Sequence, residues 1–189
     1  MMPLNAPNVV TWVRILLIPL LIAVFYLPDA WLSPFGKNAL ACAIFVVAAV
    51  SDWLDGYLAR ALNQTSAFGA FLDPVADKLI VAAALIMLLA LGRVGPVIAL
   101  IIIGREIAIS ALREWMARQG QSASVAVAYV GKVKTASQMV AIPLLLFDGD
   151  VLGLFNAHRL GTMLIYVAAV LTVVSMVHYL RRALPHAVG

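Results

Sequence analysis

The amino-acid sequence predicts an all-α integral membrane protein with six transmembrane helices in one domain that covers residues 1–189. The chain is 64% hydrophobic and has a mean hydropathy of +1.02. Apolar segments of about 20 residues recur along nearly its whole length, and polar breaks separate them. Because lipid offers no water to exposed backbone groups, segments of this kind are expected to be helical.

Each predicted span lies between residues that interrupt helices. The first, at about residues 9–27, is too long for a signal-peptide core and lacks a small-x-small cleavage site, so we interpret it as retained. Pro28, Pro34 and Gly36 separate it from the second span at about residues 37–60. The other spans lie at about residues 67–91, 96–118, 124–147 and 157–181.

Lysine and arginine lie unevenly at the two ends of these spans, which predicts their orientation. One end carries Arg14, Arg60, Arg113, Arg118, Arg181 and Arg182. The other end carries Lys37, Arg93 and Arg159 beside Asp29, Asp148 and Asp150. We expect the first end to be cytoplasmic, and an even number of spans then gives two cytoplasmic termini.

The charge of the chain narrows its classes of partner. The formal net charge is +4, but the basic residues are scattered over span ends and form no stripe with aromatic residues. This pattern argues against a nucleic-acid partner and favours membrane lipids or phosphorylated substrates. The single cysteine, Cys42, has no partner for an internal disulfide.

Acidic and small residues form stripes on two successive predicted helices. The second span carries Asp52, Asp55, Gly56, Ala59 and Arg60, at positions i, i+3, i+4, i+7 and i+8 of one face. The third span carries Gly69, Asp73 and Asp77 in steps of four. If the two faces meet, four carboxylates share one site at the cytoplasmic ends of these helices, just below the inner interface. A carboxylate at mid-bilayer would cost roughly 2.5 kcal/mol or more.

Carboxylates grouped in this way need cations, because they otherwise raise one another's pKa. Mg²⁺ or Mn²⁺ prefer oxygen ligands, whereas Zn²⁺ favours His and Cys, so the sequence predicts a site for two Mg²⁺ or Mn²⁺ ions. Such sites serve in-line displacement at phosphorus. Gly56 and Gly69 leave room for a pyrophosphate, and Arg60 can neutralise one of its phosphates.

A cation or proton transporter is the alternative, since carboxylates inside membranes also line ion pathways. A transporter predicts acidic residues at several depths of the bundle. The interiors of the fifth and sixth predicted spans contain no Asp or Glu. Phosphoryl transfer therefore explains the pattern better.

The stripes also resemble a known signature. The run Asp52-x2-Asp55-Gly56-x2-Ala59-Arg60-x8-Gly69-x3-Asp73-x3-Asp77 resembles that of the CDP-alcohol phosphotransferases in every spacing. The resemblance implies a six-helix enzyme of the bacterial inner membrane that forms a homodimer. In such an enzyme a hydroxyl attacks the β-phosphorus of a CDP-activated lipid. It implies that Asp52, Asp55 and Asp73 bind metal, that Asp77 is a ligand or the general base, and that Gly56, Ala59, Arg60 and Gly69 bind the nucleotide.

Three further segments narrow the choice of acceptor substrate. Residues 7–14, 104–115 and 131–135 resemble the branch of this family that joins CDP-diacylglycerol to sn-glycerol 3-phosphate, giving phosphatidylglycerol phosphate and CMP. Inositol phosphate, serine and phosphatidylglycerol remain alternative acceptors. A phosphorylated acceptor needs cations of its own, and Arg105, Arg113, Lys132 and Lys134 are the candidates.

Helical geometry separates these four cations. Arg105 and Arg113 are eight residues apart and therefore share a face, while Glu106 is a possible ion-pair partner of Arg105. The two lysines point about 200° apart on a helix, so at most one of them faces the site, and we favour Lys132. The alternative for Arg113 and the lysines is that they extend to lipid headgroups.

Two local features allow two interpretations each. Asn8, Thr11 and Arg14 recur every three residues, where they either cap and anchor the first helix or bind CDP-diacylglycerol. Pro74 either kinks the third helix beside Asp73 or lies in its first turn.

Overall fold

The computed structural model describes residues 6–62, 67–118, 129–151 and 153–183. Within them the chain forms six α-helices and one short two-stranded sheet. The helices are α1 (Ala6–Val24), α2 (Pro34–Leu62), α3 (Ala67–Ala90), α4 (Pro96–Arg118), α5 (Tyr129–Phe147) and α6 (Ala157–Ala183). Antiparallel strands β1 (Asp150–Val151) and β2 (Phe155–Asn156) join α5 to α6. The all-α prediction is confirmed for these residues.

The predicted helix bounds agree closely with the observed ones. Helix α4 has the predicted limits, and α3 ends one residue early, where Gly92 adopts a φ of 70° just beyond it. Helix α1 is shifted toward the N-terminus, and hydrogen-bonded turns replace its predicted last residues. Pro74 lies inside α3, beyond its first turn, so the first-turn interpretation is wrong. Predicted span residues 124–128 lie outside the described residues.

All six helices contribute to one apolar core. Helix α1 packs on α2 and α3, α2 packs on α5, α4 packs on α6, and α5 runs along α6. Fully buried core side chains include Leu21, Phe45, Leu85, Leu88, Ile102, Ile142, Leu145 and Ile165. The outer surface is also rich in large apolar side chains, such as Leu16, Phe71, Leu100, Met163 and Val170. An apolar exterior of this kind is typical of a protein surrounded by lipid.

Two of the described helices meet the length and hydropathy of a membrane span by themselves. They cover Pro34–Asp52 and Ala157–Arg181, and Thr11–Val24 is a shorter apolar helix. Helix α3 carries Asp73, Asp77 and Lys78 in its first half, which leaves its apolar part short. The apolar helices support membrane association of the chain.

Helices α5 and α6 approach each other closely at Gly161. A Cβ added there would lie 2.8 Å from Leu145 Cγ and 3.2 Å from the carbonyl oxygen of Ala141. Small residues at helix contacts allow this kind of backbone approach. The contact fixes the rotation of α5 about its axis, and with it the side chains that α5 directs into the bundle.

A polar cluster closes the end of the bundle where α3 and α5 end. Arg93 donates to the carbonyl oxygens of Leu145 and Leu146 at 3.0 and 2.9 Å, and its Nε lies 3.0 Å from Asp148 Oδ2. Asp148, with a φ of 50°, also lies 2.6 Å from His158 Nδ1. Burial lowers the pKa of Arg93 and the Asp148 carboxylate acts in the opposite direction. The cluster satisfies the last carbonyls of α5.

The predicted site residues gather at the opposite end. Successive helices of the bundle alternate in direction, so the first halves of α1, α3 and α5 lie near the second halves of α2, α4 and α6. Those halves contain the aspartate stripes and the predicted acceptor cations, apart from Arg105, which lies near the middle of α4. The fold thus brings them to one end of the molecule.

Candidate active site

Three of the four aspartates meet on one face of α1. Arg14 Nη1 lies 2.6 Å from Asp77 Oδ1 and 3.0 Å from Asp52 Oδ1, so one nitrogen joins α2 to α3. Thr11 Oγ1 donates a hydrogen bond of 2.6 Å to Asp73 Oδ1. The prediction that the two aspartate stripes face each other is confirmed for these residues.

The rest of the acidic stripe is described only in part. The backbones of Asp55, Gly56, Ala59 and Arg60 continue α2, but their side chains lie outside the described part of the structure. The same is true of Asn8 in α1. Gly69 is buried near the start of α3. The roles predicted for these residues stay predictions.

Thr11 and Arg14 do not cap the first helix, because α1 begins at Ala6 and both lie beyond its first turn. The capping interpretation is therefore wrong for them. Their spacing of three residues directs both toward α2 and α3 instead. Arg14 is 0% exposed, and its planar guanidinium supplies the positive charge that two facing carboxylates need.

The donor set fits a hard divalent cation. Asp52, Asp73 and Asp77 offer only carboxylate oxygens, which Mg²⁺ and Mn²⁺ prefer. Among the described residues no three acidic, His or Cys side chains surround one point. Arg14 and Thr11 hold oxygens of the three aspartates, and the fourth, Asp55, lies outside the described side chains. The chemistry of the site therefore fits metal ions, although its described geometry is that of ion pairs.

A cavity of about 290 Å³ opens beside the aspartates. Helices α2 and α3 form one wall, which carries both Asp52 and Asp77. Helices α4 and α5 form the facing wall, which carries Glu106, Arg113 and Lys134. The remaining lining residues are Pro74, Lys78, Val81, Thr135, Gln138 and Met139. The cavity thus has an acidic wall opposite a basic one.

The basic wall is organised by a shared carboxylate. Glu106 Oε1 accepts from Arg105 Nη1 at 3.2 Å and also from Lys134 Nζ. Lys134 is buried and lines the cavity, whereas Lys132 is exposed. Only one lysine faces the site, as the helical geometry predicts, but the prediction that it is Lys132 is wrong. The rotation of α5, set by its contact with α6, selects Lys134.

Both predicted arginines of α4 contact one tyrosine of α6. The guanidinium carbons of Arg105 and Arg113 lie 5.7 and 5.5 Å from the centroid of the Tyr179 ring. Arg113 Nη2 also donates a long hydrogen bond of 3.3 Å to the Tyr179 hydroxyl, and Arg105 Nη2 donates to Ser175 Oγ at 3.3 Å. The ring is buried and so holds the two cations on one face of α4.

A second cavity, of about 440 Å³, adjoins the first. It shares Asp52, Thr135 and Met139 with the first cavity, and its other lining side chains are apolar: Phe45, Val46, Ala49 and Val50. Val46 and Val50 lie on the exposed surface of α2. An apolar channel therefore runs from the outer surface to the acidic wall.

Several residues of the site have no counterpart among the predicted site residues. Gln138 follows Lys134 by one helical turn and therefore shares its face of α5. The spacing of four residues predicts this position as soon as Lys134 is placed in the site. Lys78 follows Asp77 directly, off the aspartate stripe. Ser175 and Tyr179 lie in an apolar helix whose sequence gives no sign of a role.

The sequence of the chain matches a known protein family. The model of the CDP-alcohol phosphatidyltransferases matches residues 4–174. The chain belongs to the CDP-alcohol phosphatidyltransferase family. The match covers α1 to α5 and most of α6, and it confirms the resemblance carried by the aspartate signature. Members of this family in general depend on divalent metal ions.

Full-length relatives within the CDP-alcohol phosphatidyltransferases are similar to this chain over nearly all residues. Proteins from Escherichia coli (strain K12), Shigella flexneri serotype 5b (strain 8401) and Shigella boydii serotype 4 (strain Sb227) are each 50% identical over 184 residues. The aligned part covers 96% of this chain and 96% of each relative. Each relative is named CDP-diacylglycerol–glycerol-3-phosphate 3-phosphatidyltransferase.

Proposed function

We propose that this protein transfers the phosphatidyl group of CDP-diacylglycerol to sn-glycerol 3-phosphate, giving phosphatidylglycerol phosphate and CMP. The observation that carries the proposal is the cavity with Asp52 and Asp77 on one wall and Arg113 and Lys134 on the other. A site for this reaction must hold a pyrophosphate beside metal ligands and a second phosphate beside fixed cations. The names of the relatives support the same reaction.

The acidic wall takes the nucleotide end of the donor. Asp52, Asp55, Asp73 and Asp77 would hold two Mg²⁺ or Mn²⁺ ions, which when bound neutralise the pyrophosphate and stabilise its in-line displacement. Asn8, Gly56, Ala59, Arg60 and Gly69 surround the CDP group in this proposal. Thr11 and Arg14 orient Asp73, Asp52 and Asp77 through the contacts described above.

Asp77 is the proposed general base. Its carboxylate lines the cavity, and its side chain is 36% exposed, so an acceptor hydroxyl can reach it. Asp77 takes the proton of the primary hydroxyl as the oxygen attacks the β-phosphorus, and the bond from that phosphorus to CMP breaks. Arg14 fixes one carboxylate oxygen during this step. A base of this kind typically contributes about 10²- to 10⁴-fold to the rate.

The basic wall takes the phosphate of the acceptor. Arg113 and Lys134 line the cavity and would bind the phosphate dianion directly. Arg105 does not line this cavity and acts from behind, through Glu106 and Tyr179. Lys132 is exposed, which supports a role near lipid headgroups rather than in the site.

The membrane setting of the proposal follows from the apolar surface. The six helices cross the bacterial inner membrane as one domain, with the aspartate end and both termini cytoplasmic and a second copy of the chain as partner. The acyl chains of CDP-diacylglycerol leave the site through the second cavity, whose apolar lining supports this path. The arginine-rich ends of the helices support the orientation.

An acceptor screen tests the proposed function. Purified protein in detergent receives CDP-diacylglycerol, Mg²⁺ or Mn²⁺, and one acceptor at a time, and CMP release is measured. We expect glycerol 3-phosphate to exceed inositol phosphate, serine, glycerol and phosphatidylglycerol in kcat/KM. A higher kcat/KM with any of the other acceptors would refute the assignment of glycerol 3-phosphate. Ion flux through the protein in liposomes without nucleotide would favour a transporter.

A further inference from the structure

Gln138 in α5 has an unmet hydrogen bond at the cavity wall. The residue is 4% exposed, and its Oε1 has no hydrogen-bond partner among the described residues. A buried acceptor left unpaired is energetically costly, so the carbonyl oxygen of Gln138 calls for a partner such as a bound substrate. Of the described buried side chains with an unpaired polar atom, Gln138 is the one that lines the cavity between the acidic and basic walls.

The position of Gln138 along α5 defines what it can contact. It lies one helical turn deeper than Lys134, just as Val81 lies one turn deeper than Asp77. Glycerol 3-phosphate with its phosphate at Lys134 and its attacking hydroxyl at Asp77 would therefore bridge the cavity. Its middle carbon would then lie next to the layer that contains Gln138 and Val81.

The other uncharged lining residues offer little to a polar group there. Pro74, Val81 and Met139 have no strong hydrogen-bonding side chain, and Thr135 already donates its hydroxyl proton to the carbonyl oxygen of Gly131 at 3.0 Å. The amide of Gln138 is thus the uncharged group best able to recognise a hydroxyl on the middle carbon. Since a hydroxyl both donates and accepts, it can pair with either end of the amide.

We propose that Gln138 determines acceptor specificity by hydrogen bonding the secondary hydroxyl of glycerol 3-phosphate. The inference rests on the proposed function and deepens it: the site selects a phosphorylated polyol with a hydroxyl beside the attacking one. A polar group built to bind a substrate hydroxyl penalises an analogue without it, because the group is then left unpaired.

The test compares two acceptors that differ in this hydroxyl alone. 3-Hydroxypropyl phosphate keeps the primary hydroxyl and the phosphate of glycerol 3-phosphate but has no secondary hydroxyl. We expect the wild-type protein to prefer glycerol 3-phosphate by at least about tenfold in kcat/KM. In Gln138→Met, which keeps the size of the side chain, the preference should fall to within about threefold, through loss of activity with glycerol 3-phosphate. The KM for CDP-diacylglycerol should not change.

Thr172→Val provides the matched control. Thr172 is also fully buried with an unpaired Oγ1, but it lies in α6 outside this cavity. The control should keep the wild-type acceptor preference. If Gln138→Met does not fold, Gln138→Asn retains a polar amide one carbon shorter and should still reduce the preference.

Two results would overturn the proposal about Gln138. One is a wild-type protein that uses both acceptors equally well. The other is a Gln138 variant whose activity falls equally with both acceptors, which indicates a structural role alone. Failure of the proposed function looks different, since the wild-type protein would then release no CMP with either acceptor.

Discussion

At the scale of single residues, Arg14 determines how the acidic end of the bundle is neutralised. Its side chain is completely buried, while those of Asp52 and Asp77 are 43% and 36% exposed. The guanidinium therefore lies behind the carboxylates and leaves their outer faces toward the cavity. A fixed cation at this place keeps two like charges together before any ligand binds.

Replacement of Arg14 should lower the stability of the folded protein most when no metal ion is present. Arg14→Ala leaves two carboxylates without their buried counter-charge, and we expect about 2–3 kcal/mol of lost stability, below the range for fully buried pairs because both carboxylates reach solvent. Thermal unfolding in detergent, with and without Mn²⁺, measures the effect. Mn²⁺ should raise the melting temperature of the variant more than that of the wild type.

Arg118→Ala is the control for Arg14. It removes an arginine whose side chain is 78% exposed and pairs with Glu114 at 2.6 Å. Exposed pairs of this type contribute about 0.5 kcal/mol or less. Equal melting temperatures for the two variants would contradict the structural role of Arg14.

The two lysines of α5 should differ sharply in acceptor binding. Lys134 is buried in the basic wall and Lys132 is exposed, so Lys134→Met should raise the KM for glycerol 3-phosphate about tenfold or more. Lys132→Met should change it by less than about twofold. Initial rates of CMP release against acceptor concentration distinguish the two. A larger effect at Lys132 would restore the original sequence prediction.

The aspartates could be placed from the sequence, whereas the lysine could not. Spacings of three and four residues determine which side chains share a face of a helix, so the stripe through Asp73 and Asp77 could be predicted from the sequence. Which face turns inward depends on packing against other helices. For α5 that packing is the close approach at Gly161, and no spacing within the segment reports it.

At the scale of helices, the bounds were predictable and the contacts between helices were not. Pro, Gly and polar breaks between long apolar segments mark helix ends directly, as the exact match of α4 illustrates. Tyr179 shows the opposite case. It stacks on Arg105 and Arg113 from a helix without charged site residues, so only the tertiary fold reveals its position.

The seam between α5 and α6 should not tolerate an added methyl group at Gly161. In Gly161→Ala the new Cβ would lie 2.8 Å from Leu145 Cγ and close to a backbone carbonyl that cannot move freely. We expect about 1–3 kcal/mol of destabilisation, measured as a lower melting temperature in detergent.

Gly104→Ala tests whether this effect is specific. A Cβ at Gly104, inside α4, meets nothing within 4 Å. The gain in helix propensity should make this variant neutral or up to about 1 kcal/mol more stable. Destabilisation of the same size in both variants would argue against a close contact at the seam.

At the scale of the whole molecule, alternating helices separate two polar ends. One end holds the cluster around Arg93 and Asp148, and the other holds the cavity with its acidic and basic walls. The charge asymmetry of the sequence predicted this separation, because the four aspartates and most arginines lie at one end of the predicted spans, and Arg93 and Asp148 lie at the other. The cavity depends on the packing of four helices, so the pattern of residues within any one helix could not predict it.

The orientation of these ends can be measured with single cysteines. Cys42 is the only cysteine of the chain, so a Cys42→Ser background accepts Leu154→Cys at the loop between β1 and β2 or Arg118→Cys at the end of α4. A membrane-impermeant thiol reagent should label the first in intact spheroplasts and the second only after permeabilisation. The reverse pattern would place the aspartate end outside.

The central claim is that the aspartate-lined cavity performs phosphatidyl transfer with Asp77 as its base. The most direct measurement is the initial rate of CMP release from CDP-diacylglycerol and glycerol 3-phosphate by purified Asp77→Asn, with Arg118→Ala as the control and thermal unfolding as the check of folding. We predict that Asp77→Asn is folded and at least about 10²-fold slower than the wild type, while the control remains within about twofold. A folded Asp77→Asn protein with the wild-type rate would contradict the account.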